Sequence, residues 1–122
     1  MAKLLLAEDE AVLRMLICDT LEDDGHEIDV ACDGEEALDK IRRSEYDLVI
    51  LDYMMPKYSG LDVIRQVRQW PERKNVKILM LSAKSQNADR ERTSAAGAND
   101  FMSKPFSPLE LSRKIGEMLH EA

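Results

Sequence analysis

Short apolar runs alternate with stretches of helical periodicity along the whole chain. Leu4-Leu5-Leu6-Ala7, Leu48-Val49-Ile50-Leu51 and Val76 to Leu81 read as strands. Glu27 to Ala31 alternates polar and apolar, with Ile28 and Val30 on one face, and Asp100-Phe101-Met102 is a further short strand. Between them the spacing predicts helices over about residues 10–24, 34–44, 60–70, 86–96 and 108–120. In the first helix Leu13, Leu16, Ile17, Thr20 and Leu21 form one stripe, which leaves Ala11, Met15, Cys18 and Glu22 pointing away from the core. Three helix starts carry an acceptor three residues before an acid: Asp33 with Glu36, Ser59 with Asp62, and Ser107 with Glu110. Pro108 suits a first helical position, and Gly25 suits a C-cap after the first helix.

Five βα units in 122 residues predict one α/β domain, a doubly wound parallel sheet between two helical layers. Strands 1 and 3 are continuously apolar and strand 4 nearly so, as strands buried on both faces must be. Strand 2 alternates and strand 5 is short, as edge strands often are. These features fit the order 2-1-3-4-5 of the flavodoxin-like fold.

Charge sharpens this frame. Lys plus Arg is 17 against 24 for Asp plus Glu, a net of −7 that argues against general binding to nucleic acid or anionic membrane. Residues 1–62 hold 6 basic and 17 acidic side chains, whereas residues 63–122 hold 11 and 7. The apolar run after Met1 is too short for a signal peptide or a membrane span. Cys18 and Cys32 form no metal-ligand pattern and suggest a reducing compartment, which points to the cytoplasm.

Ligands of open parallel sheets bind at the carboxyl ends of the strands. Glu8, Asp9 and Glu10 follow strand 1, Asp52 follows strand 3, Ser82 follows strand 4, and Lys104 and Pro105 follow strand 5. A lone aspartate there is ordinarily a cap or turn residue. Four strand ends together bring carboxylates, a hydroxyl and an ammonium to one rim. Clustered carboxylates repel unless a cation neutralises them, and hard oxygen donors suit Mg²⁺. A metal, a lysine and a hydroxyl around one carboxylate are what a transferred phosphoryl group needs.

At this point the chain resembles the receiver domain of bacterial two-component response regulators, over roughly residues 3–120. The likeness is carried by Leu6-Ala7-Glu8-Asp9-Glu10, by Leu51-Asp52-Tyr53-Met54-Met55-Pro56 with Gly60, by Leu81-Ser82-Ala83, and by Gly97 through Phe106. The resemblance implies that Asp52 accepts a phosphoryl group from a sensor histidine kinase or a histidine phosphotransfer protein. Asp9 would bind Mg²⁺ directly, Glu8 through water, and Met54 through its backbone carbonyl. Ser82 and Lys104 would hold the phosphoryl group. Ser82 and Phe101 would form the switch, and the Lys104–Pro105 peptide is expected to be cis. Three details depart from the commonest pattern: Glu8 stands for an aspartate, Phe101 has no hydroxyl, and Met54 and Lys84 occupy positions that tune phosphate loss. Bulky Met54 implies slow autodephosphorylation.

The implied readout surface is helix 4, strand 5 and helix 5, with Arg90, Arg92, Arg113 and Lys114. Helix 1 offers a docking face for the phosphodonor. The expectation is a single receiver of residues 1–122 that contacts a downstream target protein but no nucleic acid or membrane, as a monomer or weak dimer. It turns over no separate substrate. The alternatives are a receiver excised from a longer regulator or hybrid kinase, a flavodoxin-like FMN carrier, and an Mg²⁺-dependent hydrolase. Acids after strand 1 would repel the FMN phosphate, and no separate general base supports the hydrolase.

Overall fold

The computed structural model describes residues 2–83 and 87–120. Lys84 and the expected helix start at residue 86 therefore lie outside the described residues. The elements run β1 (Lys3–Ala7), α1 (Ala11–Asp23), β2 (Glu27–Ala31), α2 (Gly34–Arg43), β3 (Leu48–Asp52), α3 (Gly60–Val67), β4 (Lys77–Ser82), α4 (Asn87–Ala96), β5 (Asp100–Ser103) and α5 (Pro108–His120). The strands form one parallel sheet in the order β2-β1-β3-β4-β5. The architecture is the doubly wound α/β sandwich.

Side chains alternate across each strand, so the apolar runs divide by parity. Leu5, Ala7, Val49, Leu51, Ile78 and Met80 pack with Ala37, Ile41, Val63, Ile64 and Val67 of α2 and α3. Leu4, Leu6, Leu48, Ile50, Leu79 and Leu81 pack with Ile17, Leu21, Leu111, Ile115 and Met118 of α1 and α5. Every residue of β3 is buried. That strand sits at the centre of the sheet, and its register places Asp52 beside Leu81.

The helix starts behave as their chemistry dictates. Ser59 and Asp62 form a capping box before α3. Ser107 Oγ accepts the N–H of Glu110 at 3.1 Å, and the Ser107 N–H donates to Glu110 at 3.4 Å before α5. Asp33 accepts the N–H of Glu36, but the Glu36 carboxylate reaches one residue further back and takes the Cys32 N–H. Gly25 and Gly97 end α1 and α4 at positive φ, where a side chain would be strained.

Three local differences have physical reasons. Asp52 and Ser82 are the last residues of β3 and β4 rather than the first loop residues, because each still pairs across the sheet, with Leu81 and Ser103. The third helix stops at Val67 instead of residue 70, and Arg68 to Trp70 turn out of it on bonds to Ile64, Gln66 and Val67. On α1 the core stripe is rotated. Cys18 is half-buried against the α1–α5 core, whereas Leu16 is 42% exposed. The small thiol fits over the sheet beside Ile17 and Leu21, while Leu16 lines a surface groove facing Phe106.

Arg68 fastens the lower edge of the sheet. Its guanidinium donates to the carbonyls of Lys74, Val76 and Gly97 and to Asn99 Oδ1, all at 2.6–2.9 Å. It thereby ties the end of α3 to the turn between α4 and β5. Burial alone pulls its pKa below the ordinary value. Truncation would strand several carbonyls at once, so Arg68→Ala is expected to lose about 2–3 kcal/mol in urea unfolding. Arg68→Lys should recover less than half of that, because an ammonium lacks the planar fork. A loss below about 0.5 kcal/mol for Arg68→Ala would mean that water replaces the guanidinium.

Candidate functional site

The strand ends deliver the rim. β1 ends at Ala7, and the next residue, Glu8, has no exposed surface, while Asp9 turns outward to solvent. β3 delivers Asp52, 4% exposed, and β4 delivers Ser82, 2% exposed. One oxygen from each of Glu8, Asp9 and Asp52 lies within 4.8 Å of the others. Lys104 follows β5 and donates to Asp52 Oδ2 at 3.0 Å and to Glu8 Oε1 at 3.3 Å. Its backbone N–H donates to the Ser82 carbonyl at 2.7 Å, which couples the lysine to the hydroxyl-bearing residue. The Lys104–Pro105 peptide is cis.

Gly60 sets the depth of the site. A Cβ there would stand 2.6 Å from the Asp52 carbonyl oxygen and 2.7 Å from Met80 Sδ. Its N–H closes the loop by donating to Tyr53. The Met54 N–H donates to Asp52 Oδ1 at 3.4 Å, and the Met54 side chain is 65% exposed at the mouth of the site.

One ammonium serves two buried acids, and the electrostatics show the shortfall. Burial, then a hydrogen bond to Asp52, pushes the Glu8 carboxyl up to about 7, against opposing pulls from the Glu10 N–H and Lys104. Burial lowers Lys104, but Asp52 and Glu8 more than offset it, so its ammonium is held above the ordinary lysine value. Three carboxylates and one lysine sum to −2. That charge, on oxygen donors within reach of one centre, fits a divalent hard cation such as Mg²⁺.

The sequence reading did not single out Arg14. Its guanidinium donates to the Glu8 carbonyl at 2.9 Å from the first turn of α1, and the Glu10 N–H holds Glu8 Oε2 at 3.1 Å. The only signal in the sequence was a cation four residues after Glu10.

Phe101 is 7% exposed and lies within the core on the α2–α3 side, with Arg90 of α4 stacked 5.1 Å above its ring. Beside it, Lys114 pairs with Asp100 at 2.9 Å. A cleft of about 480 Å³ runs between Arg90, Phe101, Arg113, Lys114 and Glu117. A second groove of about 510 Å³, lined by Val12, Leu13, Leu16, Lys104, Pro105 and Phe106, opens directly beside the acids. A larger cavity, about 810 Å³, lies at the opposite end of the sheet around His26, Lys77 and His120. It shares no residue with the rim, so size does not locate this site. Among the described residues, no helix is long and apolar enough to cross a membrane.

Comparison with known proteins agrees with this geometry. The family model for the response regulator receiver domain matches residues 4–116. The phosphate regulon transcriptional regulatory protein PhoB of Rhizobium meliloti is 39% identical over 120 residues, a match that covers 98% of this chain and 53% of that protein. The chain spans about half the length of the curated relatives it matches. A putative response regulator from Chloroflexus aurantiacus superposes with a TM-score of 0.93 at 33% identity and covers 98% of both chains. The receiver domain of sensor histidine kinase PA1611 from Pseudomonas aeruginosa PAO1 superposes at 0.91 with 30% identity, over 98% of both chains; that crystal structure has a magnesium ion coordinated in its active site cleft. The strand order, the acid rim and a family match over nearly the full length agree: the chain belongs to the response regulator receiver domain family.

Proposed function

We propose that the chain is a phosphorylation-controlled signalling module in which Asp52 is the phosphoacceptor. The observation that carries this reading is the Lys104 ammonium, 3.0 Å from Asp52 and 3.3 Å from Glu8, opposite the oxygen cluster. An Asp52 oxygen attacks the phosphorus of a phosphohistidine on a sensor histidine kinase or phosphotransfer protein. The O–P bond of an acyl phosphate forms, the P–N bond breaks, and the imidazole leaves with the electron pair. Glu8, Asp9, Asp52 and the Met54 carbonyl would hold Mg²⁺, which when bound neutralises charge on the transferred group. Lys104 follows the new negative charge from carboxylate to phosphoryl oxygen, and the Ser82 hydroxyl donates to another.

The groove beside the acids suits docking of the phosphodonor, since Val12, Met15 and Leu16 of α1 are exposed there or next to it. The output passes through α4, β5 and α5 to a target protein. Ser82 shares its face of β4 with Met80, the register partner of Phe101 on β5, so a shift at one changes the room at the other, and two packings exchange population. The chain modifies itself and turns over no separate substrate. Two unpaired thiols favour a reducing, cytoplasmic setting. That the chain spans half of its curated relatives favours a second reading, in which it is the receiver portion of a longer regulator. The apparent mass of the native protein in cells separates the two.

Acetyl phosphate with MgCl₂ should add one phosphoryl group to the intact mass, and Asp52→Asn should abolish it. Retention of the label in that variant would remove Asp52 as acceptor. Met54→Asn should shorten the lifetime of the acyl phosphate several-fold by admitting water; an unchanged lifetime would exclude Met54 as the shield.

The raised Glu8 carboxyl also makes a pH prediction. In the unfolded chain this group titrates near the ordinary 4.5, and in the fold near 7. Between those values the folded state holds the extra proton, so apo stability falls as pH rises through the window. A divalent cation offsets that loss by replacing the proton. The Tm increment from saturating MgCl₂ should therefore be larger at about pH 8 than at about pH 5.5. Glu8→Gln should flatten the difference. Equal increments in the native chain would exclude proton–cation exchange at Glu8.

A further inference from the structure

We propose that Gly34 and Lys57, which lie outside the acid rim, are positioning residues for the cation site and set the place of the Met54 carbonyl. The inference rests on the Mg²⁺ reading above.

The loop from Tyr53 to Ser59 begins one residue after Asp52. Its first residue is fixed at both polar atoms: the Tyr53 N–H donates to Leu81 at 2.8 Å, and its carbonyl accepts from Gly60 at 3.0 Å. Its middle is fixed at Pro56, whose carbonyl accepts the Tyr58 N–H at 2.8 Å and the Gly34 N–H at 3.3 Å. The first of these closes a three-residue turn around Lys57. Lys57 has φ 71°, the single non-glycine residue at positive φ among the described residues. A hydrogen bond from residue i+2 back to residue i around such a centre is the rare, strained form of this turn. A strained turn persists only where its surroundings over-determine it.

Gly34 supplies that constraint. It is the first residue of α2 and is buried against the turn. A Cβ at this position would stand 2.1 Å from the Tyr58 carbonyl oxygen and 2.6 Å from Tyr58 Cβ. The contact is backbone on backbone, which no side-chain rotation can relieve. The Lys57 ammonium, 3.6 Å from Glu35 and 3.8 Å from Asp33 at the same helix start, is an exposed pairing that adds little to this backbone constraint.

Met54 lies between the two fixed points. Its N–H reaches back to Asp52, and its carbonyl accepts no hydrogen bond from any described residue. Only Met55 separates it from the clamped Pro56, so a displaced turn carries the Met54 carbonyl with it. Residues that orient a metal ligand without touching the metal typically change affinity about 10–100-fold.

Calorimetric titration with MgCl₂ tests this, with thermal unfolding in metal-free buffer as a parallel measurement. Gly34→Ala drives a methyl into the turn, and Lys57→Pro forces φ negative in an exposed loop without touching the core. Both should weaken Mg²⁺ binding about tenfold or more. Lys57→Gly keeps the left-handed turn and should bind as the native chain does. If Gly34→Ala fails to fold, the two Lys57 variants carry the comparison. Native affinity in every folded variant overturns the proposal and leaves the clamp a purely stabilising contact. An equal loss in Lys57→Gly and Lys57→Pro also overturns it, because the ammonium and not the turn would then matter. Native Mg²⁺ binding that is lost in Asp9→Asn but kept in the clamp variants leaves the site reading standing and sinks this one. Absence of binding by the native chain sinks both.

Discussion

Three carboxylates place one oxygen each within 4.8 Å of the others at the rim of a sheet that gives the two buried ones, Glu8 and Asp52, no room to separate. β1 and β3 are adjacent, buried on both faces and locked in register, so Glu8 and Asp52 cannot move apart without disturbing the centre of the core. Gly60 presses from the other side on the Asp52 carbonyl. Mutual repulsion is therefore a fixed condition of the fold, and the neighbouring structure answers it. Lys104 bridges two of the acids, the Glu10 N–H takes one Glu8 oxygen, and Arg14 draws on the Glu8 carbonyl. The Glu8 carboxyl still keeps its proton to about pH 7. The residual demand for positive charge follows from the chemistry of the rim.

The same arrangement separates two surfaces. The apolar groove of α1 and Phe106 opens beside the acids, whereas the mixed-charge cleft of α4, β5 and α5 lies across the sheet edge. Asp52 and Phe101 belong to strands separated by β4, so Ser82 and Met80 of that strand lie between them. The helix beside β5 carries a buried polar deficit. The Thr93 hydroxyl in α4 is buried without a hydrogen-bond partner among the described residues, an arrangement worth about 1–3 kcal/mol against the observed packing.

Much of this was legible in the sequence because the strongest constraints are local. Continuous apolar runs report burial on both faces, so β1, β3 and β4 could be placed at the centre and β2 and β5 outside. Strand ends report the rim, so Glu8, Asp9, Asp52, Ser82 and Lys104 could be gathered before their distances were known. Contacts between elements that are remote in sequence were not legible. A helical wheel points Cys18 outward and Leu16 inward, yet packing against α5 and Phe106 reverses the pair. Arg68 reads as one more surface cation, and only the fold brings four acceptors around it. Gly34 reads as an ordinary residue after a cap until Tyr58 is seen against it.

Lys104 lies 96 residues from Glu8 and 52 from Asp52 along the chain. The acids are thus made early during synthesis and their counter-charge late. A nascent chain that stops short of β5 carries the acidic cluster without its lysine, on a sheet that ends at β4. The rim gains its counter-charge only when β5 and the residue after it have packed beside β4, so a complete rim reports that segments remote in sequence have met.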